Sequence, residues 1–275
     1  MKSFINFLLE AYEEIPLTSD TFKVGNMHNA IYSKASGSSA VYSFAVPKTT
    51  ENHFEVGIPH SNDNLSLEQR GALNDYTEDS IGVNNTLWRI KNEIPQYNYL
   101  NKIKETDPTE FNEKIGKNVS NTLELHPEAQ EDFHVFTGIG HRDFAEHLHT
   151  HDITHIPSFI STSLNPYVAK SFSTTIGQLD DRSRSIIRIK VRKGQQIGGY
   201  IQPHSNHASE EEFLVKPNQM LHINNTPHII QDISPHTTSN IHVYDAHILT
   251  DDEISKLPQD HPEVVSYHRI KDLLK

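Results

Sequence analysis

The chain has 275 residues, of which 35% are hydrophobic and 22% are charged, and it contains no cysteine. This length and composition predict one soluble domain of ordinary size with attachments, or two small domains. The formal net charge of −12 disfavours nucleic acid as a default partner, and the lack of cysteine excludes disulfides, a thiolate nucleophile and a cysteine zinc site. No run of about 20 apolar residues is present that could span a bilayer.

The N-terminal stretch MKSFINFLLEA carries an apolar face at helical spacing, formed by Phe4, Phe7, Leu8 and Ala11. One interpretation is a terminal helix that packs on the core. The stretch also resembles the capsid-targeting leader of the internal head proteins of T-even bacteriophages, in which a prohead protease cuts after the glutamate of a Leu-x-Glu motif. That resemblance implies a leader over residues 1–10, cleaved after Glu10, and contact with a phage capsid or scaffold.

Residues 11–63 predict a β-rich N-terminal region, a small antiparallel meander. Its alternating segments, such as NAIYSK and SAVYSFAVP, are separated by the turn-forming stretches ASGSS and KTTE. Residues 66–94 contain no proline and carry apolar residues at helical intervals, which predicts two helices with a break at Gly82. A further helix is expected over about 110–124.

Residues 132–250 predict five or six strands, in the segments DFHVFTGIG, SFISTSL, SIIRIKV, GGYIQP, EFLVKPNQMLHINN and IHVYDAHIL. The stretch NPYVAKSFST predicts a helix that begins at Pro166, where the missing amide hydrogen does no harm. The stretch TDDE has the spacing of a capping box and predicts a C-terminal helical tail over 251–275. The predicted fold class is α+β: a β meander and a helical block, followed by a mostly antiparallel split β-sheet.

Three features follow one another within the predicted sheet: an aromatic-rich strand that ends at Gly138, the Ser-Thr-Ser triplet at 161–163 and the three glutamates at 210–212. In isolation the first triplet is usually a turn or strand end, and the second is usually a solvated loop. Because side chains alternate along a strand, Glu210 and Glu212 are expected to share a face. The order and setting of the two triplets count against both of these interpretations, because the hydroxyl triplet ends one predicted strand and the glutamates begin another.

This order of motifs resembles the arginine-serine-glutamate class of toxin-type mono-ADP-ribosyltransferases, which includes binary actin-modifying toxins and phage enzymes. The resemblance covers roughly residues 66–225 and implies a transferase domain over 64–250 with the split-sheet core of that family. It implies NAD as co-substrate and no metal. The family's helical signature is similar to YTEDSIGVNNTL, which places Tyr76 and either Asn84 or Asn85 at the cofactor.

The resemblance assigns catalytic roles to three residues. Cleavage of the nicotinamide–ribose bond builds positive charge on the ribose, and Glu212 would stabilise that charge through a ribose hydroxyl. Glu210 would hold an incoming arginine guanidinium and help to remove its proton, because the Glu-x-Glu pattern goes with arginine acceptors in the family. Ser161 would orient Glu212. The remaining cofactor-binding candidates are Thr137, Gly138, Arg142, Thr162, Ser163, Tyr76 and Asn85.

One position departs from the family pattern. Thr137 stands where the family has the arginine that holds the phosphates of NAD, and the His-Gly of the other main class is also missing. Arg142, Arg89 and Arg188 are the candidates to replace that cation, and the sequence leaves the choice open.

Histidines are concentrated in the stretch HRDFAEHLHTHDITH. Alternating histidines can bind zinc or nickel. No cysteine or carboxylate spacing completes a ligand set, so the stretch is expected to be a polar loop on the active-site side without a metal.

Three functions remain open at this point. The first is an NAD-dependent transferase that is packaged in a phage head, injected with the DNA and active on an arginine of a protein in the host cytoplasm. The second is a catalytically degenerate binding protein of the same fold, which the threonine at 137 favours. The third is an NAD glycohydrolase, which would need only Glu212. Nucleic acid as acceptor receives no support from the net charge, and no membrane association is expected.

Overall fold

The structure is a computed structural model, and its described residues exclude most of the N-terminal quarter of the chain. The predicted leader over 1–10 and the predicted β-rich region over 11–63 lie outside the described residues, as does the break at Gly82. The structure describes residues 65–78, 80, 83–84, 88, 110–129, 132–139, 142–164, 166–173, 184–201, 205, 212–233 and 238–273.

Two helices precede the sheet. Helix α1 (Leu67–Glu78) begins after a reciprocal cap, in which the Ser66 amide donates to Gln69 Oε1 at 2.7 Å and the Gln69 amide donates to Ser66 Oγ at 3.2 Å. Helix α2 (Glu110–Leu123) agrees with the helix expected over 110–124. The two helices pack together around a buried cluster that includes Leu73 and Tyr76 of α1.

Nine strands form one sheet within the described part of the chain: β1 (Phe133–Ile139), β2 (Ile153–Ile156), β3 (Ile160–Ser163), β4 (Ser185–Val191), β5 (Gly198–Tyr200), β6 (Glu212–Val215), β7 (Gln219–Ile223), β8 (His228–Ile233) and β9 (Thr238–Ile248). Their spatial order is β2-β7-β9-β4-β1-β3-β6-β5, with β8 also paired to β9. Among the pairs of described strands only β4–β9 is parallel, so the expectation of a largely antiparallel α+β fold is confirmed.

The described residues contain four more helices, of which three each follow a strand of this sheet and the fourth follows the third of them. They are α3 (Arg142–Thr150), α4 (Pro166–Phe172), α5 (Asp251–Ser255) and α6 (Pro262–Leu273). The predicted start of α4 at Pro166 is confirmed. Within the described residues, no helix has the length and apolar character that crossing a membrane requires.

The prediction of five or six strands over 132–250 was wrong, because the described residues of that region already form nine. The segment EFLVKPNQMLHINN forms two strands instead of one. Pro217 has no amide hydrogen for a ladder, and Asn218 adopts φ 60, the left-handed conformation that asparagine tolerates in turns. Strands β2 and β8 were not predicted, because they are short and carry histidines and so lack an apolar run long enough to indicate a strand.

The prediction of a polar histidine loop was also wrong. The stretch forms α3 and β2, and His147 and His155 are buried. His155 lies 2.7 Å from both Ser266 Oγ and Asn218 Oδ1 through its two ring nitrogens, and its amide donates to Glu263 Oε2 at 2.8 Å. These contacts hold α6 against β2, so His155 has a structural role.

The predicted capping box after the last strand is confirmed. The Glu253 amide donates to Thr250 Oγ1 at 3.3 Å, and the Thr250 amide donates to Glu253 Oε2 at 2.7 Å. Helices α5 and α6 bury apolar residues against Ile153 and Met220 of the sheet. Helices α5 and α6 therefore pack on the sheet.

A buried ion pair links the parallel strands at the centre of the sheet. Arg188 of β4 and Asp245 of β9 are register partners, each 2% exposed, and Arg188 Nε donates to Asp245 Oδ1. The other carboxylate oxygen lies 3.0 Å from His228 Nε2. Burial acts to raise the pKa of Asp245, but hydrogen bonds from His228 and Arg188 outweigh it and hold the pKa below its usual range.

We expect Asp245→Asn to lower the free energy of unfolding by about 3–5 kcal/mol, because it removes the negative charge that faces the buried Arg188 guanidinium. Urea denaturation measures the change. The matched control is Asp252→Asn, since that carboxylate is 75% exposed and faces Lys256, and its effect should stay below about 0.5 kcal/mol. Equal losses in the two variants would contradict the assignment of Asp245 as a structural charge.

Candidate active site

A cleft of about 600 Å³ opens between the helical block and the sheet. Its wall on one side comes from α1 and the helical residues that follow it, and on the other side from β1, β3, α4 and the first residue of β6. The polar lining residues are Tyr76, Thr77, Ser80, Asn84, Thr137, Ser158, Ser161, Thr162, Ser163 and Glu212, together with the backbone of Gly138.

The pairing of β3 with β6 brings two of the predicted catalytic residues onto one face. Ser163 is the register partner of Glu212, and Ser161 is the partner of Leu214. Because cross-strand partners point to the same face and side chains alternate along a strand, Ser161, Ser163 and Glu212 share a face. Thr162 Oγ1 donates to the Phe213 carbonyl oxygen across the ladder, which helps to fix this register.

Glu212 is a buried carboxylate at the base of the cleft. It is 6% exposed, and the Ser205 hydroxyl donates to its Oε2 at 3.4 Å. Glu212 is also the first residue of β6, where it pairs with Ser163 of the neighbouring strand β3. Glu210 and Glu211 lie outside the described residues, and the expectation that Glu210 shares the face of Glu212 stays a prediction.

The helical block contributes a row of residues at spacing four: Tyr76, Ser80, Asn84 and Trp88 all line the cleft. Asn84 Nδ2 donates to the Tyr76 hydroxyl oxygen at 3.1 Å. Of the two asparagines that the sequence offered, Asn84 is thus in the cleft, and Asn85 lies outside the described residues.

The end of β1 forms the floor beside β3. Thr137 is 8% exposed and lines the cleft together with Gly138. A side-chain carbon at Gly138 would overlap the Ala169 carbonyl oxygen and lie 2.6 Å from the Ser173 amide nitrogen. The glycine therefore permits the close approach of β1 to the end of α4, a requirement that the sequence did not reveal.

The three arginines that could replace the family's phosphate-binding arginine have different positions. Arg188 does not line the cleft; its guanidinium pairs with Asp245, and Phe136 stands between it and Ser163 in the cross-strand row. Arg142 begins α3 shortly after β1, and Arg89 lies outside the described residues. None of the described residues that line the cleft is a lysine, arginine or histidine.

Aromatic side chains make the rest of the cleft apolar. Trp88 and Phe144 meet edge to face with their centroids 6.3 Å apart, and Phe172 at the end of α4 is 55% exposed. Trp88 is one of the apolar residues at helical intervals within residues 66–94, and helical spacing alone cannot distinguish a core face from a cleft wall.

No metal site accompanies the cleft in the described residues. No group of three or more His, Asp or Glu side chains is placed there so that it could hold a metal ion.

The model of the ADP-ribosyltransferase exoenzyme family matches residues 57–251. The chain belongs to that family. The match spans the cleft, the α1 region, and every strand of the sheet, and the family uses NAD as its substrate. No curated protein matches the chain.

Several solved structures of ADP-ribosyltransferases are similar to this exoenzyme-family chain. Plx2a, an ADP-ribosyltransferase toxin from Paenibacillus larvae, is 17% identical over 69% of this chain and 89% of its own, with a TM-score of 0.46. The C3 exoenzyme of Clostridium limosum is 19% identical over 68% and 87%, with a TM-score of 0.40. The ADP-ribosylating toxin BECa of C. perfringens, solved with NADH, is 16% identical over 68% and 44%, with a TM-score of 0.47.

We expect Gly138→Ala to lower the free energy of unfolding by about 1–3 kcal/mol, because the added methyl group forces β1 and α4 apart. Urea denaturation measures the change, and calorimetry with NAD reports the effect on the cleft. The matched control is Gly71→Ala in α1, where the added carbon meets no atom within 4 Å, and this variant should be neutral or stabilised by up to about 1 kcal/mol. A stable Gly138→Ala variant would show that β1 and α4 do not approach as described.

Proposed function

We propose that this chain is an NAD-dependent mono-ADP-ribosyltransferase that modifies an arginine of a host protein, with the cleft between α1 and the sheet as its active site. The observation that carries the proposal is the buried Glu212, which shares one face with Ser161 and Ser163 at the base of a cleft large enough for a nucleotide. A carboxylate with polar neighbours inside an otherwise apolar cleft is suited to a reaction that develops positive charge.

Glu212 would act during cleavage of the bond between nicotinamide and ribose. As that bond breaks, its electron pair leaves with the nicotinamide nitrogen and the ribose becomes cationic. The hydrogen bond from a ribose hydroxyl to the Glu212 carboxylate then becomes stronger, because the carboxylate faces a growing positive charge in a site with little water. Ser161 and Ser163, on the same face, would orient the carboxylate or the ribose by hydroxyl hydrogen bonds.

Glu210 would bind the acceptor arginine and take up its proton. The arginine nitrogen attacks the anomeric carbon of the ribose, and the proton that it releases passes to the Glu210 carboxylate, which also holds the guanidinium by hydrogen bonds. The Glu-x-Glu spacing at 210–212 supports this assignment, since the resemblance ties that spacing to arginine acceptors. Gly138, Thr137, Thr162, Tyr76 and Arg142 would complete the contacts to NAD.

We further propose that residues 1–10 form a capsid-targeting leader that is removed after Glu10, so that the enzyme is packaged in a phage head and injected into the host cytoplasm. The support is the helical spacing of the apolar residues between Phe4 and Ala11 in the sequence, together with the Leu-x-Glu motif at 8–10. The domain over 64–250 would then be the enzyme proper.

A non-catalytic binding protein of the same fold is the second candidate. It is favoured by the cleft itself, because the described lining residues include no cation for the phosphates of NAD and Thr137 stands at the family's arginine position. The two functions differ in whether NAD is consumed.

Glu212→Gln tests the catalytic assignment. We expect transfer of label from NAD to protein in a bacterial lysate to fall about 10²- to 10³-fold, because an amide cannot supply the negative charge that the transition state requires. The dissociation constant for NAD should change by less than about twofold, since the amide keeps the shape of the carboxylate.

The matched control for that experiment is Glu146→Gln, an exposed glutamate on α3 outside the cleft, which should transfer label at the wild-type rate. Mass spectrometry of the labelled proteins identifies the modified residue, which we expect to be arginine. Unchanged transfer by Glu212→Gln would rule out the assignment, nicotinamide release without a labelled acceptor would identify a glycohydrolase, and no NAD consumption by the wild type would favour the binding protein.

Thr137→Arg tests the phosphate end of the cleft. We expect it to tighten NAD binding about tenfold, because a new charge-assisted hydrogen bond to phosphate contributes about 1.5–3 kcal/mol before the cost of ordering the side chain. Calorimetry at two salt concentrations measures the affinity, with Thr137→Met as the uncharged control of similar length. Equal affinities for the two variants would mean that another residue, such as Arg142, already binds the phosphates.

A further inference from the structure

The aromatic pair of Trp88 and Phe144 gives the cleft a flat apolar surface. Trp88 belongs to the helical block and Phe144 to α3, and their rings meet edge to face with centroids 6.3 Å apart. Both rings line the cleft and pack against the main core, yet both are only partly buried. Part of this aromatic surface therefore faces the cleft, where a planar ligand group can displace water from it.

Other rings hold this pair in place. The Phe144 ring stacks with the ring of His147, with centroids 6.1 Å apart at 17°, and His147 stacks with His151, with centroids 4.0 Å apart at 16°. His147 is itself buried, so this column of rings restrains Phe144, and contact with Phe144 restrains Trp88. A surface that is ordered before the ligand arrives loses little conformational entropy on binding.

The aromatic pair and Glu212 belong to different sides of the cleft. Strands β6, β3 and β1 are consecutive in the sheet, with Glu212 on β6 and with Thr137 on β1. Neighbouring strands are about 4.8 Å apart, so roughly 10 Å separates β6 from β1. Helix α3, which carries Phe144, follows β1 and contacts it. The carboxylate thus lies on the β6 side, and the aromatic surface lies on the β1 side.

This layout matches the chemistry of a dinucleotide. NAD consists of a nicotinamide riboside and an adenosine joined by two phosphates, so a nicotinamide ribose at Glu212 leaves the adenine for the β1 side. Stacking of a base on an aromatic side chain contributes about as much free energy as a charge-assisted hydrogen bond. The described cleft lining offers no cation to the phosphates, and Thr137 stands at the family's arginine position. Stacking can supply the affinity that a phosphate contact does not.

We propose that Trp88 and Phe144 bind the adenine of NAD by stacking, and that this contact replaces the affinity lost with the arginine at position 137. The inference rests on the proposed function, because that function places the nicotinamide ribose at Glu212. Neither aromatic residue was among the cofactor-binding candidates of the sequence. One consequence is that adenosine alone is recognised, with little further gain from phosphates.

Fluorescence of the unmodified chain tests the contact directly, because Trp88 is its single tryptophan. We expect adenosine and AMP to quench the emission with dissociation constants within about threefold of each other. Nicotinamide mononucleotide, which lacks the adenine, should leave the emission unchanged. Quenching by the mononucleotide alone would assign the rings to nicotinamide and overturn the proposal. AMP that binds more than about tenfold tighter than adenosine would show that a cation holds the phosphates, and would overturn it as well.

Trp88→Leu tests the energetic claim by calorimetry. We expect the dissociation constant for NAD to rise about 10- to 100-fold, because the stacking surface is lost. The dissociation constant for nicotinamide mononucleotide and kcat at saturating NAD should each change by less than about twofold, since the contact is equally strong in the ground state and the transition state. Trp88→Phe keeps an aromatic ring and should retain most of the affinity.

Ile229→Ala is the control variant. Ile229 is an exposed apolar residue of β8 outside the cleft lining, and its removal should leave both dissociation constants unchanged. If Trp88→Leu weakens NAD and nicotinamide mononucleotide equally, loss of the folded cleft explains the effect and the adenine assignment is wrong.

The outcomes separate this inference from the proposed function. Nicotinamide release by the wild type, without quenching by adenosine and with unchanged NAD affinity in Trp88→Leu, would overturn the adenine site and leave the transferase intact. Quenching by adenosine in a chain that releases no nicotinamide would support the adenine site and count against the transferase.

Discussion

The register between β3 and β6 is the constraint on which the candidate site depends. It sets Ser163 opposite Glu212 and places Ser161 on the same face, and the Thr162 hydroxyl bonded to the Phe213 carbonyl secures it. A slip of one residue would turn Glu212 away from the cleft and put Phe213 in its place. The buried residues of β6 make that slip costly, because they fit the core only in the observed register. Core packing therefore holds a charged side chain where the chemistry would need it.

The cleft depends equally on how the helical block meets the sheet. Tyr76 belongs to the core cluster that α1 and α2 share with Phe159 and Leu214, so the packing that stabilises the block also presents its polar row to the cleft. On the other wall, Gly138 lets α4 approach β1 closely. The central Arg188–Asp245 pair stabilises the middle of the sheet and leaves Arg188 occupied there. Each wall of the cleft is thus held in place by the packing of its residues into the fold.

Much of this fold could be predicted from local patterns. The helix at Glu110–Leu123, the start of α4 at Pro166 and the capping box at Thr250 each depend on residues close in sequence, and each is confirmed. The failures depend on partners far along the chain or on short runs. Strand β2 carries a histidine whose burial is possible only because Ser266 and Asn218 satisfy its ring. The contact of Arg188 with Asp245 likewise joins residues that no spacing rule connects.

The order of the motifs at Gly138, 161–163 and 210–212 indicated the family even though the number of strands was predicted wrongly. The chemistry of the site requires particular residue types, whereas a strand can form from many sequences. The remaining claim is that the face shared by Ser161 and Glu212 binds the ribose that carries nicotinamide. A crystal structure of the chain with NAD tests it most directly. We expect a hydroxyl of that ribose within hydrogen-bonding distance of the Glu212 carboxylate. NAD bound elsewhere, or bound in the cleft with its nicotinamide ribose remote from Glu212, would contradict it.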